Sequence, residues 1–149
     1  MASGSAFFQA KKDTKMSKEL IQQVTAPNGS VFTGSGTNSY LIGREDITLI
    51  DPGPKIDEHI EKLIKLGEGK IKRVLVTHTH RDHSPAAKVI GEILNVPLMG
   101  RLVEKDDNLQ DKTFKPEFVL GHGDLIETTE YTIESIHTPG PVSYTHLRA

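Results

Sequence analysis

Apolar positions along the chain follow two rhythms, one of period two and one of period near four. Ser39-Tyr40-Leu41-Ile42 reads as a strand ending at Gly43, and Arg44-Glu45-Asp46 as a turn. Ile47-Thr48-Leu49-Ile50 reads as a second strand, closed by Asp51-Pro52-Gly53-Pro54. Together they predict a hairpin. Ile56, Ile60, Leu63 and Ile64 then recur at i, i+4, i+7 and i+8, one face of a helix, which Gly67 and Gly69 are expected to end. His59 beside that face is expected to look into solvent. Residues 71–76 form a run rich in β-branched side chains, and Val74-Leu75-Val76 reads as buried on both faces. Ser84-Pro85 predicts a helix start, with Ser as the cap and Pro in the first turn, and Ala86, Ala87, Ile90, Ile93 and Leu94 line that helix. Further strands are expected at 96–99, 118–120, 125–126 and 131–136, with a polar loop over 101–116 and a turn over 121–124. Strand–helix–strand–helix order implies an α/β layer fold with antiparallel hairpins at its edge.

Composition narrows the function classes. At 149 residues, with 36% hydrophobic and 26% charged residues, the chain suits one folded domain. A net charge of -2 argues against a nucleic-acid surface held by charge alone. The absence of Cys excludes disulfide scaffolds and thiolate zinc sites, and no apolar run approaches a membrane span. Residues 1–17 carry no signal-peptide pattern and are expected to be a flexible N-terminal extension, with Met16 resembling an ordinary start. The expected compartment is the cytoplasm. At the other end, residues 141–149 read Pro-Val-Ser-Tyr-Thr-His-Leu-Arg-Ala. One back-translation, CCT GTC TCT TAT ACA CAT CTC CGA GCC, reproduces a transposase adapter used in short-read sequencing libraries. These residues are therefore expected to be a non-native tail, leaving residues 18–140 as the domain.

The chemistry follows the buried strand directly. Thr77-His78-Thr79-His80-Arg81-Asp82-His83-Ser84 places His-x-His-x-Asp-His between a strand and a helix start. Ligands in α/β sheets collect at the carboxyl ends of strands. Imidazole and carboxylate suit zinc, manganese or iron. His78 and His80 are two apart, so an extended backbone points both the same way toward one metal. Asp82 and His83 lie beyond the bend and can address a second. Two metals about 3.5–4 Å apart can hold a bridging hydroxide that attacks a carbonyl or phosphoryl centre. Three imidazoles and a carboxylate this close are costly to bury without a metal or partners.

The motif resembles the metal-binding signature of the metallo-β-lactamase superfamily. Leu49-Ile50-Asp51-Pro52-Gly53 resembles that superfamily's first motif. Gly36-Thr37-Asn38-Ser39-Tyr40-Leu41-Ile42-Gly43 and residues 77–87 are similar to the branch of β-lactamase-like protein 2. Gly123-Asp124-Leu125-Ile126 and Ile136-His137-Thr138-Pro139-Gly140 resemble its later strands. The resemblance covers about residues 21–140 and implies an αββα sandwich, here an incomplete one corresponding to its N-terminal half. It implies zinc, two ions in a complete protein, with His78, His80, Asp82 and His83 as ligands and Asp82 helping to position the nucleophile. It gives Asp51 a supporting role behind the metal loop; from the residues alone, a turn carboxylate is an equal reading. The family pattern continues His-Thr-Pro-Gly-His, and this chain has Pro141 at the last position.

The implied activity is metal-dependent hydrolysis of an ester, thioester or phosphodiester, in the manner of glyoxalase II or of β-lactamase-like protein 2. The substrate is then a small ester or thioester or an RNA, with no membrane partner. The chain as it stands, lacking further ligands, is expected to be an inactive fragment. The alternative class is a non-catalytic metal- or nucleic-acid-binding module of the same fold.

Overall fold

The computed structural model describes residues 20–27, 36–77, 84–100, 115–138 and 144–148. The elements run β1 Ile21–Thr25, β2 Asn38–Ile42, β3 Ile47–Ile50, α1 Asp57–Gly67, β4 Ile71–Val76, α2 Pro85–Leu94, β5 Leu98–Gly100, β6 Phe118–Val119, β7 Leu125–Glu127, β8 Thr132–Thr138 and β9 Tyr144–Arg148. They make a six-stranded sheet in the order β1-β2-β3-β4-β5-β6 and a three-stranded sheet in the order β7-β8-β9. β1, β2 and β3 pair antiparallel; β3 through β6 pair parallel. The expected hairpin at the edge of an α/β layer is therefore present.

Side-chain alternation turns this topology into layers. Leu41, Leu49, Val74, Val76 and Leu98 leave one face of the large sheet and meet Ile60 and Leu63 of α1 and Ala86, Ala87 and Ile90 of α2. Ile42, Ile50 and Leu75 leave the other face and meet Ile126 and Ile133 of the small sheet, with Leu120 and Tyr131. The result is helices on sheet on sheet, and the large sheet is buried on both faces. That is why β3 reads as an unbroken buried run. Leu49, Leu63, Val74 and Ile90 are fully buried, and each such side chain stabilises the fold by about 1.5–3 kcal/mol.

The expected strands at 47–50 and 71–76 match β3 and β4 residue for residue. β5 starts two residues later than expected. Pro97 has no N–H for a ladder and offers only its carbonyl, to the N–H of Val74 at 3.0 Å. α1 ends at Gly67, but Glu68 takes the left-handed turn at φ 49 in place of a glycine. Gly67 instead allows close approach: a Cβ there would sit 2.5 Å from the side chain of Ile71. β1 was not expected, and β9 falls within the expected tail, where it pairs with β8 over Tyr144–Arg148. Strand pairing is backbone chemistry and is indifferent to the origin of the residues. Most of the expected loop at 101–116 lies outside the described residues.

Candidate metal centre

β3 and β4 are parallel neighbours, so their carboxyl ends lie side by side, with Ile50 opposite Leu75. Asp51 and Thr77 are the residues that follow. The Asp51 N–H still bonds the Leu75 carbonyl, at 2.8 Å, and then the backbone turns left-handed at φ 49. Asp is among the few residues that tolerate this. The turn swings the carboxylate back over β4. Its two oxygens accept the Thr77 N–H at 2.8 Å and the Thr77 hydroxyl at 2.6 Å, all within the protein interior. Such charge-assisted bonds are about twice as strong as neutral ones. Asp51 thus fixes the residue immediately before His78.

The other flank of the motif is fixed by the same turn. The Ala86 N–H, in the first turn of α2, donates to the Gly53 carbonyl at 2.9 Å. Pro85 opens the helix as expected, but Ser84 does not cap it through its side chain. The Ser84 backbone is near-helical at φ -116, ψ -19, not extended, and the Ala86 and Ala87 N–H groups already donate to the Gly53 and Ser84 carbonyls. Ser84 is buried and holds contacts of its own.

Behind the turn sits His59. It was expected to face solvent, but it is 2% exposed, on the sheet-facing side of α1. Its Nε2 lies 3.3 Å from the hydroxyl of buried Ser39, which donates to the Asp51 carbonyl at 2.7 Å. Burial pushes the imidazole below its ordinary 6.5, the charge of Lys62 acts the same way, and the Pro52 carbonyl acts against them. Tyr40, on the inter-sheet face of β2, has its phenol pushed up by burial and further by the Asp51 carboxylate.

His78, His80, Asp82 and His83 lie outside the described residues. Among the described residues, no group of three or more His, Asp or Glu side chains is placed to hold a metal. The donor set of residues 78–83 nevertheless fits zinc: three imidazoles and one carboxylate, in a six-residue segment between the end of β4 and the start of α2. A cavity of about 620 Å³ lined by Lys88, Asn95, Pro97 and Lys115 lies at the other end of the parallel strands, away from this segment.

The metallo-beta-lactamase superfamily profile matches residues 32–146. The chain belongs to that superfamily. Curated relatives include an atrochrysone carboxyl ACP thioesterase of Aspergillus chevalieri, 31% identical over 80% of this chain and 38% of its own length. A beta-lactamase-like protein 2 homolog of Drosophila melanogaster is 28% identical over 85% of this chain and 47% of its own. The chain thus spans less than half the length of these relatives. Among solved structures, a subclass B3 metallo-beta-lactamase of Bradyrhizobium japonicum matches with a TM-score of 0.60 at 22% identity, over 72% of this chain and 47% of that one. A metallo-beta-lactamase from Cronobacter sakazakii matches with a TM-score of 0.68 at 17% identity, over 85% and 55%. These likenesses establish the mixed α/β fold of the superfamily, covering part of each neighbour. Superfamily members are generally hydrolytic. No described helix is long and apolar enough to cross a membrane.

Proposed function

We propose that this chain carries the metal-binding segment of a metal-dependent hydrolase acting on an ester or thioester. The observation that carries the reading is the pair of fixed flanks: Thr77 bonded twice by buried Asp51, and α2 bonded to the same turn through Gly53. A six-residue segment with four metal donors runs between them. In this reading His78 and His80 serve one zinc ion, and Asp82 and His83 a second. Zinc, when bound, supplies a Lewis acid and makes hydroxide available near neutral pH. The chain's own part is to orient the donors and, through Asp82, to hold the attacking oxygen in place. Thioester is favoured over phosphodiester by the thioesterase named among the relatives.

Pro141 stands where the family pattern has a ligand, so the first metal has two protein ligands in residues 78–140, whereas catalytic zinc usually has three. The chain alone is then expected to bind zinc weakly and to turn nothing over. Metal analysis after dialysis tests this, and two tightly held zinc ions per chain would contradict it. In a longer version with His at position 141, Asp82→Ala should lose one zinc and most thioester hydrolysis. Undiminished turnover in that variant would refute the mechanism. A version that keeps zinc and hydrolyses neither thioesters nor RNA would favour the non-catalytic alternative.

A further inference from the structure

The imidazole of His59 is buried and stands outside the metal motif. An apolar side chain would fill its slot on α1 with no polar group to desolvate. What imidazole adds is a pair of polar contacts on the Asp51 turn, one to the Ser39 hydroxyl and one to the Pro52 carbonyl. Ser39 has one hydroxyl hydrogen and gives it to the Asp51 carbonyl at 2.7 Å, an atom that can only accept. The Ser39 oxygen lies 3.3 Å from His59 Nε2, and the ring also bonds the carbonyl of Pro52, the residue after Asp51. His59 therefore holds the turn at two places, directly at the Pro52 carbonyl and, through Ser39, whose O–H donates, at the Asp51 carbonyl. That carbonyl belongs to the left-handed residue whose carboxylate grips Thr77. Turning the peptide unit after Asp51 would tilt the carboxylate off β4, and the bond to Ser39 opposes that turn.

We propose that His59 is a positioning residue for the metal loop: through Ser39 it holds the Asp51 turn, and so fixes Thr77, the residue that precedes His78. The inference deepens the reading of residues 78–83 as a zinc segment and rests on it for its purpose, but not for its test. Ser39 of β2, His59 of α1, Asp51 after β3 and Thr77 after β4 make one buried line across four successive elements.

The test uses the full 149-residue chain and two readouts: hydrogen exchange at the Thr77 amide without metal, and zinc affinity by competition with a chromophoric chelator. His59→Phe fills the slot without a donor; His59→Gln keeps a donor nitrogen. In His59→Phe the Thr77 amide should exchange about tenfold faster while Val74, deeper in the same strand, is unchanged. Zinc should bind about tenfold more weakly, the low end for partners one step behind metal ligands. His59→Gln should recover most of both. Should His59→Phe fail to fold, Ser39→Ala cuts the same line and should give the same selective loss at Thr77. Thr77 exchange equal to wild type in the folded variant would overturn the proposal. A wild-type chain that takes up no zinc, while Thr77 responds as expected, would remove the zinc reading and leave the coupling of His59 to Thr77 standing.

Discussion

β3 and β4 lie side by side, yet their two ends are held in different ways. At the starting end the Tyr131 hydroxyl donates to the Asp46 carbonyl at 2.6 Å, lies 2.8 Å from the Thr48 hydroxyl and receives Arg73 at 3.3 Å. Arg73 also bonds Thr48 at 2.8 Å and pairs with the Asp46 carboxylate at 2.7 Å. Nearby, the Glu130 carboxylate accepts the backbone N–H groups of Arg44, Glu45 and Asp46 at 2.7–2.8 Å. At the carboxyl end, one Asp51 carboxylate takes both Thr77 donors, with Ser39 and His59 behind it. The first end is a lattice of cross-links that ties the small sheet to the large one. The second is centred on one carboxylate, that of Asp51, and the donor segment follows it in the chain. The redundant end can lose a bond and keep its shape; at the other end, loss of one carboxylate releases both Thr77 bonds at once.

That contrast can be broken by substitution. The largest effect is expected for Asp51→Ala, which strips two buried Thr77 bonds at once. It should cost about 3 kcal/mol or more in urea denaturation and weaken zinc binding as well. A loss under about 1 kcal/mol would mean that Thr77 finds other partners without strain. Next is Gly43→Ala at the latched end. Gly43 sits at φ +107, and a Cβ would collide with the Asp46 carbonyl oxygen and lie 2.7 Å from the Tyr131 ring. About 2–3 kcal/mol should be lost, with zinc affinity unchanged in the folded fraction. Tyr131→Phe removes one member of the lattice and should cost about 1–2 kcal/mol, again without touching zinc. A fall in zinc affinity comparable to that of Asp51→Ala would erase the distinction between the ends.

The smallest expected effect is a pH dependence. The folded protein holds His59 below its ordinary 6.5, so the unfolded chain binds the proton more readily. The stability tied to the neutral ring is complete above about 6.5 and declines as pH falls from there toward the depressed folded value. Thermal midpoints of metal-free protein at about pH 7.5 and about pH 5.5 should differ less in His59→Gln than in wild type. Equal differences would show that the ring titrates freely in the native state.

Much of the carboxyl end of β3 and β4 could be read from local pattern. β3 and β4 are short β-branched runs, β3 closed by Asp51-Pro52-Gly53-Pro54, and the four candidate metal donors fall within six positions after β4. His59 also left a signal: it stands at i+3 from Ile56 and i−4 from Leu63, inside the apolar stripe of α1. A rule that sends polar residues outward misplaces it, because only the three-dimensional neighbour, Ser39, supplies the bond that makes burial tolerable. The latched end left almost none. Glu130 and Tyr131 meet partners 58–86 residues earlier in the chain, and no periodicity carries information over that distance. The two-sheet arrangement followed from the superfamily resemblance, whereas the alternation of β3 alone says only that both its faces are covered.

The same separation has a consequence during synthesis. The chain leaves the ribosome from its N-terminus, so Ile42, Ile50 and Leu75 are available before the residues that cover them. β1 to β4 and both helices bury only their own side of the sheet; the opposite face waits for Tyr131 and Ile133. With Thr48 and Tyr131 separated by 83 residues, ordinary translation rates leave that face open for roughly 4–17 s. For that interval the nascent protein carries an uncovered apolar sheet, a surface of the kind that chaperones bind and that sticks to other chains. Closing the latch at the starting end is then also the moment at which the newly made chain ceases to be a hazard.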